Sequence, residues 1–201
     1  AGSMLVRAAD AELDGARGNS GAILAQFLLG LGDGAGHLAR LSIGEFVLAL
    51  RKGASYAKEA LSQPREGTIL TVLREFADAA EAQAARSPDF HSLFAHSLTR
   101  VNAALEATRN QLEELRAANV VDAGALGFVE VLEGMRHFLD TGELGTVVAP
   151  VHAGDEIMAG SAAPSADQDY RYCTECLVTA KVGEDIDLRL LRETLSTSGA
   201  S

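Results

Sequence analysis

The sequence predicts a mainly α protein: an antiparallel helical barrel or bundle, then a linker, then the start of a small α+β domain. Apolar residues recur at helical spacing from the start of the chain to about residue 140. Alanine and leucine dominate a chain that is 47% hydrophobic and only 5% aromatic, a composition that favours closely packed helices. We therefore predict a helical domain over residues 1–148, a linker over 149–169 and a truncated second domain over 170–201.

Six helices are predicted in the first domain, with ends marked by glycine, proline and capping residues. Ser42 and Glu45 have the spacing of a capping box at the start of the third helix. The glycine-rich segment 32–36 is predicted to end the second helix, and the fifth helix is predicted to be continuous. The helices cover approximately residues 4–13, 21–31, 43–61, 69–85, 89–117 and 125–139.

The C-terminal part has a different pattern. Residues 149–169 hold two prolines, many small residues and little periodicity, which indicates a linker. Residues 170–182 alternate as in a β-strand, and residues 187–195 are predicted to be helical. A strand and one helix cannot bury themselves alone, so we interpret them as the start of another domain.

Composition and charge narrow the classes of function. The formal net charge is −11 and no basic patch is visible, so a nucleic-acid binder is not expected. With only three lysines, a nucleotide site would depend on a divalent metal for much of its charge compensation. Two cysteines without a disulfide pattern, no apolar run of membrane-spanning length and no secretory signal favour a cytoplasmic protein without membrane insertion.

Three inter-helical loops are predicted to share one end of the bundle. Short loops join antiparallel neighbours, so every second loop lies at the same end. The first, third and fifth loops lie near residues 15–21, 63–68 and 118–124. Each precedes a helix N-terminus, where unpaired N–H groups and the helix dipole favour an anion.

The residue types in these loops suit a phosphate site. Seven residues are the candidates: Gly18, Asn19, Ser20, Gly21, Thr68, Asp122 and Gly124. The glycines permit close approach of backbone to a ligand, and the polar side chains are capping and hydrogen-bonding groups, Asn19 or Ser20 capping the second helix. Each loop alone is more typical of an ordinary cap or turn than of a ligand site, and the shared end favours the site. The Gly18–Gly21 segment is not a Walker loop, because the lysine and its spacing are missing.

Four ordered segments resemble the DhaL-type (DAK2) nucleotide-binding domain, and more closely the ATP-binding subunit of bacterial fatty acid kinase. They are Gly15–Leu24 (GARGNSGAIL), Arg65–Leu70 (REGTIL), Asn119–Phe128 (NVVDAGALGF) and Tyr172–Glu175 (YCTE). The resemblance implies a helical barrel that holds ATP or ADP with Mg²⁺ at one end. Phosphate contacts would come from Gly18–Gly21, and other nucleotide contacts from near Thr68 and around Asp122 and Gly124.

The same resemblance implies Mg²⁺-dependent phosphoryl transfer to a fatty acid that a separate, DegV-like carrier protein presents. Arg17 would support the phosphates, no catalytic residue is assigned, and a homodimer is a further expectation. The family carries an acidic metal-binding motif, Asp-Gly-Asp-Thr-Gly, upstream of the glycine-rich loop, and these 201 residues do not contain it. Asp10 and Asp14 lie nearby without that pattern, so no metal ligand is assigned, and the catalytic competence of these residues by themselves stays open.

Two other functions remain open. One is transfer to a small hydroxy-ketone, as in dihydroxyacetone kinase, although the Tyr172–Glu175 segment favours the fatty acid branch. The other is a non-catalytic module that binds a nucleotide or a partner.

In the resembled family the cysteine matching Cys173 can serve as a zinc ligand together with later histidines, which are absent here. A single Cys-x-x-Cys on a strand does not chelate a metal, because residues three apart point to opposite faces.

Overall fold

The computed structural model describes residues 1–16, 18–61, 63–87, 89–144, 178 and 186–196. These residues are mainly helical, as predicted, and contain no strand. The helices are α1 (Gly2–Gly15), α2 (Gly18–Ala35), α3 (Ile43–Glu59), α4 (Ile69–Ala84), α5 (Phe90–Gln111), α6 (Glu113–Ala118), α7 (Ala123–Thr141) and α8 (Leu188–Ser196).

Helices that follow each other along the chain pack side by side from α1 to α5, and α7 packs against both α4 and α5. A buried row of aromatic rings links the middle of this bundle. The Phe128 ring lies 5.6 Å from Phe27 and 5.9 Å from Phe76, and Phe76 lies 5.9 Å from Phe94. These contacts join α2, α4, α5 and α7 around one apolar core.

Side-chain caps begin α3, α4, α5 and α7. Ser42 and Glu45 form the predicted capping box at α3. Thr68, Asp89 and Asp122 cap α4, α5 and α7 by accepting a backbone N–H in the first turn. The predicted starts of these helices are therefore confirmed to within a residue or two.

The predicted break at residues 32–36 is wrong, because α2 continues to Ala35. Its glycines allow close helix packing. A Cβ placed on Gly34 would lie 2.6 Å from the Ala49 Cα, and one on Gly30 would lie 2.8 Å from the Gly53 Cα. Any larger residue would push α2 and α3 apart, so the contact between the two backbones compensates for the low helix propensity of glycine.

The prediction of a continuous fifth helix is also wrong. Leu112 leaves the helical conformation (φ −109°, ψ 140°) and separates α5 from the short helix α6. The loop before α4 packs at this point: a Cβ on Gly67 would lie 2.7 Å from the Gln111 Cβ and 3.1 Å from the Leu112 Cγ. The break therefore coincides with a contact between distant segments, which local periodicity does not reveal.

The chain divides into two units, residues 1–145 and 146–201. In the second unit, α8 confirms the helix predicted over residues 187–195. The predicted linker and all of the predicted strand except Val178 lie outside the described residues, so the domain boundaries stay predictions. None of the described helices combines the length and the apolar character that crossing a bilayer requires.

Candidate functional site

The N-termini of α2 and α7 meet at Ser20 and Gly124. A Cβ on Gly124 would lie only 2.4 Å from the Ser20 Oγ and 2.8 Å from the Ser20 Cβ. Glycine is therefore the only residue that leaves room for the Ser20 side chain here. Gly18 already belongs to α2, so Asn19 and Ser20 lie in its first turn, and the prediction that one of them caps α2 is wrong. Gly21 follows in the same turn.

Asp122 begins α7 and ties it to α5. Its Oδ1 accepts a hydrogen bond from the Ala125 N–H at 2.8 Å, and its own N–H donates to the Thr108 Oγ1 at 3.1 Å. The next two amides, of Ala123 and Gly124, have no hydrogen-bond partner among the described residues. Two free N–H groups at the positive end of a 19-residue helix are what an anion requires.

The loop before α4 packs on the junction between α5 and α6. Gly67 is buried with φ +86°, a conformation that strains any other residue, and it contacts Gln111 and Leu112. Arg65 lies 3.6 Å from Glu114 in α6. The contacts of Gly67, those of Thr108 with Asp122, and those of Ser20 with Gly124 link the three predicted loops at one end of the bundle.

Hydrogen bonds of Thr68 and Gly67 hold the loop before α4 against the first turn of that helix. The Thr68 Oγ1 accepts from the Leu70 N–H at 3.3 Å and donates to the Arg65 carbonyl at 2.8 Å. The Gly67 N–H donates to the Thr71 Oγ1 at 2.8 Å. Thr68 thus has the predicted capping role, and its part in ligand contact stays a prediction.

The Glu66 carboxylate, which belongs to this loop, is held in its charged form. It accepts a 2.6 Å hydrogen bond from the Thr71 hydroxyl and lies 3.4 Å from Arg74. The Thr71 hydrogen bond lowers the pKa of Glu66 most, partial burial opposes the effect, and Arg74 adds to it.

An arginine side chain contacts the loop before α7. The Arg109 guanidinium donates to the Asn119 carbonyl at 2.5 Å, and Asn119 has the left-handed conformation (φ 54°) that ends α6. From the sequence, Arg109 is indistinguishable from a solvated helix residue. Sequence reasoning therefore missed three residues at the loop end of the bundle, namely Thr71, Thr108 and Arg109. Only their tertiary contacts distinguish them from other helix residues.

The described residues do not fit a resident magnesium site. No group of three or more His, Cys, Asp or Glu side chains in the described part of the chain is placed to hold a metal ion. Glu66 and Asp122, the two carboxylates within the three loops, are engaged with Thr71, Arg74 and the Ala125 amide. Arg17 and Cys173 lie outside the described residues.

An apolar cavity of about 590 Å³ occupies the other end of the bundle. It lies between the start of α5 and the second half of α7, whereas the three loops adjoin the end of α5 and the start of α7. Its walls include Phe46, Phe90, Phe94, Met135 and Phe138. With a rise of 1.5 Å per residue, Phe94 and Thr108 are roughly 20 Å apart along α5, so the cavity and the loops are separate sites.

Fold and site together define a helical domain in which helix N-termini gather beside glycine-containing turns. The model of the DAK2 domain family matches residues 1–137, and the chain belongs to this family of DhaL-like, kinase-related nucleotide-binding domains. It is 33% identical over 195 residues to uncharacterized proteins of Staphylococcus saprophyticus and Staphylococcus epidermidis. It is 32% identical over 194 residues to one of Staphylococcus aureus strain USA300. Each match covers 94% of this chain but 35% of the relative.

Proposed function

We propose that this chain is the nucleotide-binding domain of an ATP-dependent kinase that phosphorylates a fatty acid held by a separate carrier protein. The observation that carries the proposal is the junction of α2 and α7, where Ser20 touches Gly124 beside two free amides. These groups suit the phosphates of ADP or ATP. Phosphoryl transfer depends mainly on positioning and charge stabilisation, so a site of amides, hydroxyls and an arginine is suited to it.

The acceptor and its carrier rest on the resemblance of the sequence. Residues 172–175 resemble the start of the middle domain of the fatty acid kinase subunit, and the proposed partner is a DegV-like protein that presents the fatty acid carboxylate. The relatives are about three times as long as the region matched, since the chain spans 35% of their length. Substrate transfer therefore belongs to the longer protein in this proposal.

Calorimetric titration of the chain with ADP, with and without Mg²⁺, tests the proposal. Magnesium-dependent binding supports the kinase function. Binding with the same affinity in the presence and absence of magnesium supports a nucleotide-binding module without catalysis. A longer version that carries the family's acidic motif upstream is titrated in parallel. Absence of ADP binding by both versions would contradict the proposal.

Two alanine variants test the assigned loops. Ser20→Ala and Thr68→Ala each remove one hydroxyl, so each is expected to weaken ADP binding by about 1 kcal/mol, the scale of one hydrogen bond or cap. Ser55→Ala is a matched control, because Ser55 is an exposed hydroxyl in α3 bonded to Glu59. Unchanged affinity in both test variants would show that the nucleotide binds elsewhere.

A further inference from the structure

Three polar side chains are buried in the part of the chain that the structure describes, and all three are hydroxyls. Thr71 is 4% exposed, and Ser97 and Thr108 are fully buried. A hydroxyl that is removed from water needs hydrogen-bond partners, so each of these positions requires an explanation.

Two of the three bind the loops of the candidate site in the same way. Thr71 accepts the Gly67 N–H at 2.8 Å and donates its proton to the Glu66 carboxylate at 2.6 Å. Thr108 accepts the Asp122 N–H at 3.1 Å and donates to the Leu105 carbonyl at 2.6 Å. In both cases a hydroxyl on a helix accepts a hydrogen bond from the amide N–H of a loop residue, at the same end of the bundle.

The third buried hydroxyl has no such role. Ser97 lies on α5, as Thr108 does, but its Oγ has no hydrogen-bond partner among the described residues. It lies 11 positions before Thr108, or roughly 16 Å along the helix. Ser97 therefore provides an internal control for the loss of a buried hydroxyl away from the loops.

We infer that Thr71 and Thr108 are positioning residues for the nucleotide site, which act through the amides of Gly67 and Asp122. This inference rests on the proposed function. Thr108 fixes Asp122, which caps α7 and thereby places Gly124 against Ser20. Thr71 fixes Gly67 at the turn that leads into Thr68, the cap of α4. Neither hydroxyl has a proton left to donate to a phosphate, since each already donates its single O–H to a protein oxygen.

The test compares Thr71→Val and Thr108→Val with Ser97→Ala by titration with Mg²⁺–ADP. Valine keeps the shape of threonine and removes the hydroxyl. Each valine variant is expected to raise the dissociation constant about 3- to 10-fold, the equivalent of one lost hydrogen bond. Thr71→Ser and Thr108→Ser, which keep the hydroxyl, are expected to restore affinity, and Ser97→Ala to leave it unchanged.

Amide hydrogen exchange supplies a readout that does not need the nucleotide. Exchange at Gly67 is expected to accelerate in Thr71→Val, exchange at Asp122 in Thr108→Val, and neither in Ser97→Ala. If a valine variant fails to fold, alanine at the same position replaces it in both measurements. Faster exchange with an unchanged dissociation constant would overturn the inference and leave the proposed function intact. Absence of binding by the wild-type chain, and by its version with the acidic motif, would overturn the proposed function and the inference with it.

Discussion

The close contact between α2 and α3 makes a sharp prediction for Gly34→Ala. The new Cβ would lie 2.6 Å from the Ala49 Cα and 3.1 Å from the Ala49 Cβ, whereas ordinary contacts begin at 3.4 Å. The two helices must therefore separate by about 0.8 Å or more, because the nearest obstructing atom, the Ala49 Cα, belongs to the backbone. Overpacking of this kind costs about 1–3 kcal/mol, and alanine returns up to about 1 kcal/mol through its higher helix propensity. If alanine returns the full amount of about 1 kcal/mol, the net loss is up to about 2 kcal/mol.

Gly127→Ala is the matched control. Gly127 lies in α7, is exposed, and has no atom within 4 Å of an added Cβ. This variant is expected to gain about 0.5–1 kcal/mol, since only the propensity effect remains. Urea unfolding followed by far-UV circular dichroism measures both variants. Equal stability of Gly34→Ala and Gly127→Ala would refute the packing explanation for the glycines of α2.

Three further predictions concern the loop end of the bundle. Gly124→Ala is expected to weaken ADP binding, because it displaces the Ser20 side chain, and the double variant with Ser20→Gly is expected to lose less affinity than the sum of the two single losses, because it has no clash. Gly67→Ala is expected to lower the free energy of unfolding by about 1–3 kcal/mol in urea, since φ is +86° and the Gln111 side chain fills the space. The folded protein lowers the pKa of Glu66, so the charged carboxylate stabilises the fold at pH values above 4.5, the usual pKa of glutamate. The difference in the free energy of unfolding between wild type and Glu66→Gln should therefore shrink as the pH falls below 4.5.

The helix starts were predictable because their signals are local. Ser42 and Glu45 satisfy each other's amides within one turn, and Thr68 and Asp122 each bond an amide two or three residues ahead. A residue pattern of this kind needs no knowledge of the rest of the fold.

The glycines of α2 were not predictable from local sequence. Glycine ends many helices, and it also lies where two helices touch. Which of these applies at Gly30 and Gly34 depends on Gly53 and Ala49 of α3, residues 15 or more positions away. The break at Leu112 has the same origin, since it coincides with the packing of Gly67.

The end of the bundle that carries the loops was predictable, and the residues that hold the loops were not. Alternation of antiparallel helices brings loops of the same parity together, and the contact of Ser20 with Gly124 agrees with that argument. In the sequence, Thr71 and Thr108 look like any other residues within a helix. Their roles arise from bonds to Gly67 and, across 14 residues, to Asp122.

The central claim is that adenine nucleotide binds at the end of the bundle that carries the three loops. Amide resonances of an isotope-labelled sample, recorded by NMR during titration with Mg²⁺–ADP, test it most directly. The largest shifts are expected at Ser20, Thr68 and Gly124, with little change at the apolar end around Phe90 and Phe138. Shifts confined to that apolar end, or no shifts at saturating nucleotide, would contradict the claim.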